Sequence, residues 1–170
     1  MATTDCDIAI IGSGIAGSIT ACILARNGLR VALLDQGGHP RFAIGESMIP
    51  LTSHLLRIMA DRYEVPELDY CSTFTKLRRH VTSSSGIKRN FSFVHHTKGS
   101  AFDPRKSTML PIEHYPHGAE AHLMRQDIDA FLYAAALRYG AIGLDHVTIA
   151  SVEFSPSAAE VRTTAGDTVR

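Results

Sequence analysis

Residues 5–35 read DCDIAIIGSGIAGSITACILARNGLRVALLD, and this stretch decides how the chain folds. Residues 8–11 are a short apolar run rich in β-branched side chains, which suits a strand buried on both faces. The pattern GxGxxG follows at 12–17, then an apolar-periodic stretch, then a second apolar run at 31–34. The order of strand, glycine turn, helix and strand predicts a βαβ unit of the dinucleotide-binding type.

Each residue of this pattern has a physical task. Gly12 permits the tight turn out of the strand, Gly14 lets a pyrophosphate approach the backbone, and Gly17 lets the helix pack closely. The helix N-terminus then presents free N–H groups and a positive dipole end to the phosphates. Asp35, 18 residues beyond Gly17, ends the second strand, where a carboxylate accepts hydrogen bonds from ribose hydroxyls. The pattern does not distinguish FAD from NAD, and a glycine-rich turn in another α/β unit is the alternative.

Composition limits the other possibilities. The chain has 170 residues, a formal net charge of zero and 45% hydrophobic residues, as expected of one globular domain with no nucleic-acid partner. The three cysteines are scattered, which favours unpaired thiols in a reducing cytoplasm. We expect no signal peptide or membrane span, because the N-terminal residues contain no basic region and no long apolar run. We predict no metal site, because the pairs His95–His96 and His114–His117 lack a chelating pattern.

The remaining chain predicts a mixture of helices, hairpins and loops. We expect a loop over 36–45, a helix over 47–62, strands over 73–82 and 87–95, a loop or lid over 97–118, a helix after Arg125, a strand over 145–154 and a terminal hairpin. The apolar faces are expected to be Ile15, Ile19, Cys22 and Ile23 on the first helix, and Leu51, Leu55, Met59 and Ile58 on the second. A strand that begins at Thr168 and stops at Arg170 suggests that the natural protein continues.

Three segments in this order resemble flavoproteins of the glutathione-reductase-like FAD fold. They are the glycine pattern with Asp35, the segment PRFAIGESMIP at 40–50, and the segment LMRQDIDAFL at 123–132. The third resembles the arginine-then-helix motif of FAD hydroxylases. The second resembles the corresponding segment of flavin-dependent halogenases, and its form PRFxxGES is much narrower than GxGxxG. The resemblance spans most of the chain.

The resemblance implies an α/β fold: a Rossmann-like FAD-binding domain, over residues 1–170, with a parallel sheet and antiparallel β-hairpin insertions. It implies a halogenase that uses reduced FAD, O₂ and halide to form hypohalous acid and halogenate an electron-rich small molecule. The residues that match the family's FAD-binding motifs are Gly12, Gly14, Gly17, Asp35, Arg41, Gly45, Glu46, Ser47 and Arg125. Lys76, 30 residues after Glu46, matches the family's catalytic lysine by its spacing. The implied partners are a flavin reductase and a substrate, free or tethered to a carrier protein.

Several readings stay open from the residues alone. Arg41, Glu46 and Ser47 also fit a solvated loop with Ser47 as a helix cap, and Arg125 also fits an ion pair with Asp129. The family's tryptophan-rich motif is absent, and the chain contains no tryptophan, so we expect the chain alone to be inactive. The rivals are an FAD-dependent monooxygenase or reductase, an NAD-dependent dehydrogenase, and a non-catalytic nucleotide-binding module.

Overall fold

A computed structural model describes residues 2–112 and 118–170. Its strands are β1 (Thr3–Thr4), β2 (Ile8–Ile11), β3 (Val31–Leu34), β4 (Gly86–Ile87), β5 (Asn90–Val94), β6 (Ser107–Pro111), β7 (Ala121–His122), β8 (Ile142–Leu144), β9 (Ile149–Phe154), β10 (Ala159–Thr163) and β11 (Thr168–Val169). Its helices are α1 (Ile15–Arg26), α2 (Pro50–Tyr63), α3 (Pro66–Tyr70), α4 (Phe74–His80) and α5 (Arg125–Arg138), with a 3₁₀ turn at Pro104–Lys106. No helix of the described chain is long and apolar enough to cross a membrane.

A parallel sheet in the order β2-β3-β8 forms the centre of the molecule. All four residues of the middle strand β3 are buried, and they alternate between two cores. Val31 and Leu33 pack against the helices, whereas Ala32 and Leu34 pack against the four-stranded sheet β1-β11-β10-β9. The fold class predicted from the sequence is therefore confirmed: an α/β domain with a parallel sheet and antiparallel additions.

The predicted βαβ unit is present, although the deepest face of its helix differs from the prediction. The most buried residues of α1 are small ones, namely Ser18, Ala21, Cys22 and Ala25. Ile15, Ile19 and Ile23 are only partly buried beside them. The small side chains allow α1 to approach α5, whose Leu132, Ala135 and Ala136 are buried in the same core.

Three predictions about the middle of the chain are wrong. The strand predicted over 73–82 is the helix α4, in which the Thr73 hydroxyl caps the N-terminus and three basic residues occupy the last turn. The loop predicted over 97–118 contains β6, which pairs with β5. Every residue of β6 is exposed, so it carries no apolar alternation that a sequence pattern would detect. The strand predicted over 145–154 begins only at Ile149, as β9, and the preceding strand β8 was not predicted.

The helix predicted over 47–62 exists as α2, but it buries a different face. It begins at Pro50, as a proline in the first turn allows. Its buried residues are Ser53, Leu56 and Ala60, with Met59 packed at the edge of the core. The predicted face is wrong, because Leu51, Leu55 and Ile58 are exposed. Small residues again occupy the contact, which lets α2 lie close to its neighbours.

The glycine turn supplies the sharpest steric constraint in the fold. Gly12 has a φ of +104°, in the region that disfavours side chains. A Cβ on Gly17 would lie 1.8 Å from the Gly12 carbonyl oxygen, whereas a Cβ on Gly14 would meet nothing closer than 3.8 Å. Gly17 is therefore required by the packing of α1 on its own turn, and Gly14 is not required by the fold.

We predict opposite outcomes for the two alanine substitutions. Gly17→Ala should lower the free energy of unfolding by about 3 kcal/mol, because the clash is with backbone. Gly14→Ala should change it by less than about 1 kcal/mol. Urea unfolding followed by circular dichroism measures both, and equal stability of the two variants would contradict the assignment.

Candidate functional site

The glycine turn opens into a shallow cleft at the carboxyl end of β2. The cleft has a volume of about 650 Å³ and is lined by Ile10, Ile11, Gly12, Gly14, Ile15, Ala16, Gly17, Thr20 and Arg125. Gly14 is the N-cap residue of α1, and no side chain caps that helix end. The first turn of α1 contains no acidic residue. Free N–H groups beside a guanidinium and bare glycine backbone form a site that suits a pyrophosphate.

Asp35 follows β3 directly and is the centre of a second set of contacts. Its Oδ2 accepts hydrogen bonds from the Ser13 amide at 2.7 Å, the Ser13 hydroxyl at 2.9 Å and the Arg41 guanidinium at 2.8 Å. Its Oδ1 accepts one from the Gly37 amide at 2.9 Å. Since a carboxylate offers about four acceptor positions, Oδ1 retains capacity for a ligand hydroxyl, whereas Oδ2 is fully used.

The environment of Asp35 favours its charged form. Burial of the carboxyl opposes ionisation, but hydrogen bonds from Gly37 and Ser13, with the nearby charge of Arg41, outweigh it and lower the pKa of Asp35 to about 2. Asp35 and Arg41 line one cavity of about 350 Å³ with Ile11, Gly12, Leu34, Gln36, Val147, Thr148 and Ile149. The predicted acid and the predicted arginine therefore meet beside the glycine turn.

Residues 40–50, which we call the strap, contribute Arg41 to the cavity beside Asp35. The strap is held by backbone hydrogen bonds to the segment around β7: Leu123 N donates to Glu46 O at 2.7 Å, and Met48 N donates to Ala121 O at 3.2 Å. Ser47 forms an isolated antiparallel bridge with His122. The strap thus acts as a short extra strand, which fixes the backbone of Glu46 and Ser47 relative to α5.

Arg125 connects the strap to the glycine turn. It is the first residue of α5, and its guanidinium forms a two-point ion pair with Asp129, with N–O distances of 2.8 Å. The same group donates to the carbonyl oxygens of Ile44 and Gly45. The ion pair between Arg125 and Asp129, which the sequence offered as one interpretation of Arg125, is therefore present. The guanidinium also lies against Gly14, so it borders the cleft as well.

This chain is similar to known proteins in sequence and in structure. Residues 10–50 match the family model described as the NAD(P)-binding Rossmann-like domain. Monodechloroaminopyrrolnitrin halogenase PrnC of Pseudomonas fluorescens is 44% identical over 95% of this chain and 28% of its own length. Tetracycline 7-halogenase of Kitasatospora aureofaciens is 40% identical over 96% of this chain and 29% of its own length. A crystal structure of the halogenase PltM in complex with phloroglucinol and FAD matches 96% of this chain and 32% of its own, at 39% identity and a TM-score of 0.84.

In sequence and in fold, this chain is similar to flavin-dependent halogenases. It spans less than a third of the length of the curated relatives it matches. The matched part of this chain includes the glycine turn, the strap and Arg125.

Lys76, the lysine predicted from spacing, lies in α4. Its ammonium is bound by both carboxylate oxygens of Asp69, at 2.7 and 2.6 Å. Its side chain is 39% exposed. Burial opposes ionisation of Asp69, but its hydrogen bonds with Lys76 and Ser72 lower the pKa of that carboxyl overall. The catalytic role of Lys76 stays a prediction, and the structure places Lys76 in a partly exposed ion pair.

Lys88 is a buried lysine whose burial the sequence pattern did not predict. It is only 5% exposed, and its Nζ donates to the Ser47 hydroxyl and to Met48 O, each at 2.6 Å. Nζ also lies 3.7 Å from the centre of the Phe91 ring. Burial lowers the pKa of Lys88. In the strand predicted over 87–95, alternation puts Lys88 on the polar side, so no sequence signal marked it as buried.

Metal ligation finds no support in the described part of the chain. Residues 2–112 and 118–170 hold no cluster of three or more His, Cys, Asp or Glu side chains arranged for a metal ion. The pair His114–His117 lies outside the described residues. Cys22 and Cys71 are buried and Cys6 is partly exposed, and all three are free thiols.

We predict that Asp35 contributes stability that disappears in acid. Its pKa is depressed in the folded chain, so the stabilisation is present above the unfolded value near 3.8 and is lost as the pH falls toward 2. Asp35→Asn should therefore lower the free energy of unfolding by about 2 kcal/mol at pH 7. The difference from the unmodified chain should shrink steadily in urea titrations from pH 5 to pH 2. A difference that does not depend on pH would contradict this account.

Proposed function

We propose that this chain is the FAD-binding part of a flavin-dependent halogenase that forms hypohalous acid and halogenates an electron-rich small molecule. One observation carries the proposal. Arg125 contacts both the glycine turn and the strap carbonyls, and Ser47 and Met48 of the same strap accept hydrogen bonds from a buried lysine, Lys88. A dinucleotide site and a buried amine at the same strap provide what this chemistry requires.

The residues present fit FAD. The bare backbone of Gly14 and the free first turn of α1 would receive the pyrophosphate, with Arg125 beside them. Asp35, through Oδ1, would accept a hydrogen bond from the adenosine ribose, and Arg41 would border the same cavity. Gly45, Glu46 and Ser47 would lie along the flavin. Reduced FAD would supply the two electrons with which O₂ and halide become hypohalous acid and water.

Lys88 is the residue that we assign to the halogenation step. Its ammonium, enclosed and fixed by two hydrogen bonds, retains a third N–H that can donate to the oxygen of hypohalous acid. As a neutral amine, it would take the halogen from hypohalous acid, forming an N–halogen bond and releasing water. Because burial lowers its pKa, the neutral form is more accessible to Lys88 than to a solvated lysine. Lys76 remains the alternative.

The proposed partners and location extend beyond this chain. We infer a flavin reductase as the source of reduced FAD, a substrate that is free or carried on a protein, and a cytoplasmic location. A 1H-pyrrole-2-carbonyl-[peptidyl-carrier protein] chlorinase of Pseudomonas fluorescens, 29% identical over 91% of this chain, gives precedent for a carrier-bound substrate.

We predict that this chain binds FAD and that Gly14→Ala weakens the binding at least about tenfold, a loss of about 1.4 kcal/mol. The added methyl group occupies the space that the pyrophosphate needs, while the fold is unaffected. Quenching of FAD fluorescence on titration measures the affinity, and circular dichroism confirms that the variant is folded. FAD binding that is unchanged in Gly14→Ala would rule out the glycine turn as the phosphate site.

We predict that Lys88→Met abolishes halogenation. The assay uses a polypeptide of the relatives' length that contains this chain, with FAD, a flavin reductase, NADH, O₂, bromide and a panel of phenols, pyrroles and indoles. Lys88→Met should reduce the brominated product by at least about 100-fold with FAD still bound. Lys76→Met is the matched control and should retain activity within about threefold.

Each other outcome has a definite meaning. Loss of activity in Lys76→Met but not in Lys88→Met would restore the lysine predicted from the sequence. A hydroxylated product, or NADH oxidation without the added reductase, would identify a monooxygenase of the same fold.

A further inference from the structure

Lys88 faces a second buried charge that the proposed chemistry does not use. Strands β4 and β7 are antiparallel, with Gly86 opposite His122 and Ile87 opposite Ala121. The next step of this register places Lys88 opposite Glu120, and Lys88 N donates to Glu120 O at 3.0 Å. Directly opposed residues on antiparallel strands project their side chains to the same face. Lys88 and Glu120 therefore form a cross-strand pair of opposite charge.

Both side chains of this pair are almost fully enclosed. Lys88 is 5% exposed and Glu120 is 6% exposed. Lys88 uses two of its three N–H donors on the strap, whereas Glu120 Oε2 is enclosed with no hydrogen-bond donor among the described residues. The two charges are not in direct contact, since no ion pair within 4.0 Å joins them in the described chain. A buried carboxylate oxygen without a donor is costly unless a nearby opposite charge compensates it.

We propose that Glu120 is a positioning residue for Lys88: its buried negative charge balances the ammonium under the strap and sets how readily that ammonium releases a proton. The catalytic meaning of this inference rests on the proposed function, whereas the charge pair itself is independent of that function. Glu120 does not touch the reacting atoms and acts only through Lys88.

Two opposing influences determine the protonation of Lys88. Burial favours the neutral amine, and the charge of Glu120 favours the ammonium. The other charged or titratable groups on the surrounding segments are Glu46 of the strap, Arg89 beside Lys88, and His122 of β7. Among these groups, Glu120 alone contributes to the pKa shift of Lys88. Removing the Glu120 charge should therefore lower the pKa of Lys88 further, because the effect of burial is then unopposed.

The test is a direct titration of Lys88 in the 170-residue chain. The chain contains four lysines, Lys76, Lys88, Lys98 and Lys106, so lysine labelled with ¹³C at Cε gives four assignable NMR signals. The Lys88 signal is identified by its loss in Lys88→Met. In Glu120→Gln the ratio of neutral to charged Lys88, measured at the wild-type midpoint, should rise about tenfold.

Two further variants keep the test decisive. Glu120→Asp retains the charge, so it should leave the Lys88 midpoint between those of wild type and Glu120→Gln, even if Glu120→Gln folds poorly. Glu153→Gln removes an exposed carboxylate in β9 and should leave the midpoint unchanged. The Lys76 signal should not move in Glu120→Gln. An unchanged Lys88 midpoint in Glu120→Gln, or an equal shift in Glu153→Gln, would overturn the proposal.

A second readout separates this inference from the proposed function. In a polypeptide of the relatives' length, the pH–rate limb that belongs to Lys88 should move to lower pH in Glu120→Gln, whichever protonation state reacts. A lowered NMR midpoint without any halogenation would support the charge pair and reject the halogenase proposal. Halogenation with a pH–rate limb that does not move in Glu120→Gln would reject the role of Glu120 alone.

Discussion

The fork between Arg125 and Asp129 is the interaction on which the rest of the site depends. Asp129 is fully buried on the face of α5 that meets the core, and a carboxylate there is tolerated only if a cation neutralises it. Arg125 supplies that cation from one turn away and still has donors left for the strap carbonyls. One planar group therefore fixes the start of α5, the strap and the border of the glycine turn together. A lysine has no such fork and could not make these contacts simultaneously.

The strap also organises the buried lysine. Because the strap pairs with residues 121–123, its Ser47 hydroxyl and Met48 carbonyl are presented at a defined depth beside β4 and β7. Lys88 reaches both acceptors, and Glu120 lies across the strand pair from it. Two buried pairs of opposite charge lie near the strap, and they differ in kind. Arg125 and Asp129 are in direct contact, whereas Lys88 and Glu120 are separated, which leaves the lysine chemically available.

Local sequence predicted those features whose determinants are local. The βαβ unit was recognisable because three glycines and two apolar runs encode a turn and two buried strands within 31 residues. Asp35 was found for the same reason, since it follows directly from the end of β3, whereas Arg41 was assigned only by the resemblance to a family. The strap was recognised only by its resemblance to a family, because nothing in its composition shows that it pairs with residues more than 70 positions later.

The failures have two physical causes. Over residues 73–82 the helix signals are local, namely the Thr73 cap and the basic last turn, and they outweigh the alternation that predicted a strand. In the other cases, tertiary contacts selected among local possibilities. The face of α2 could not be predicted, because Leu51 and Leu55 are more apolar than Ser53, which is the residue that is buried. The burial of Lys88 could not be predicted for the same reason, since its hydrogen-bond acceptors come from the strap, 40 residues away.

The energetics of the two lysines explain why geometry favours one over the other. A partly exposed pair such as Lys76 with Asp69 contributes at most about 1 kcal/mol and is common on protein surfaces. Enclosing a lysine costs several times more, and strand packing alone would be better served by an apolar residue. A chain that keeps Lys88 enclosed beside Glu120 therefore retains a costly arrangement that the fold does not require. Costly, preorganised charges concentrate at functional sites, which is the physical reason to look for chemistry at Lys88.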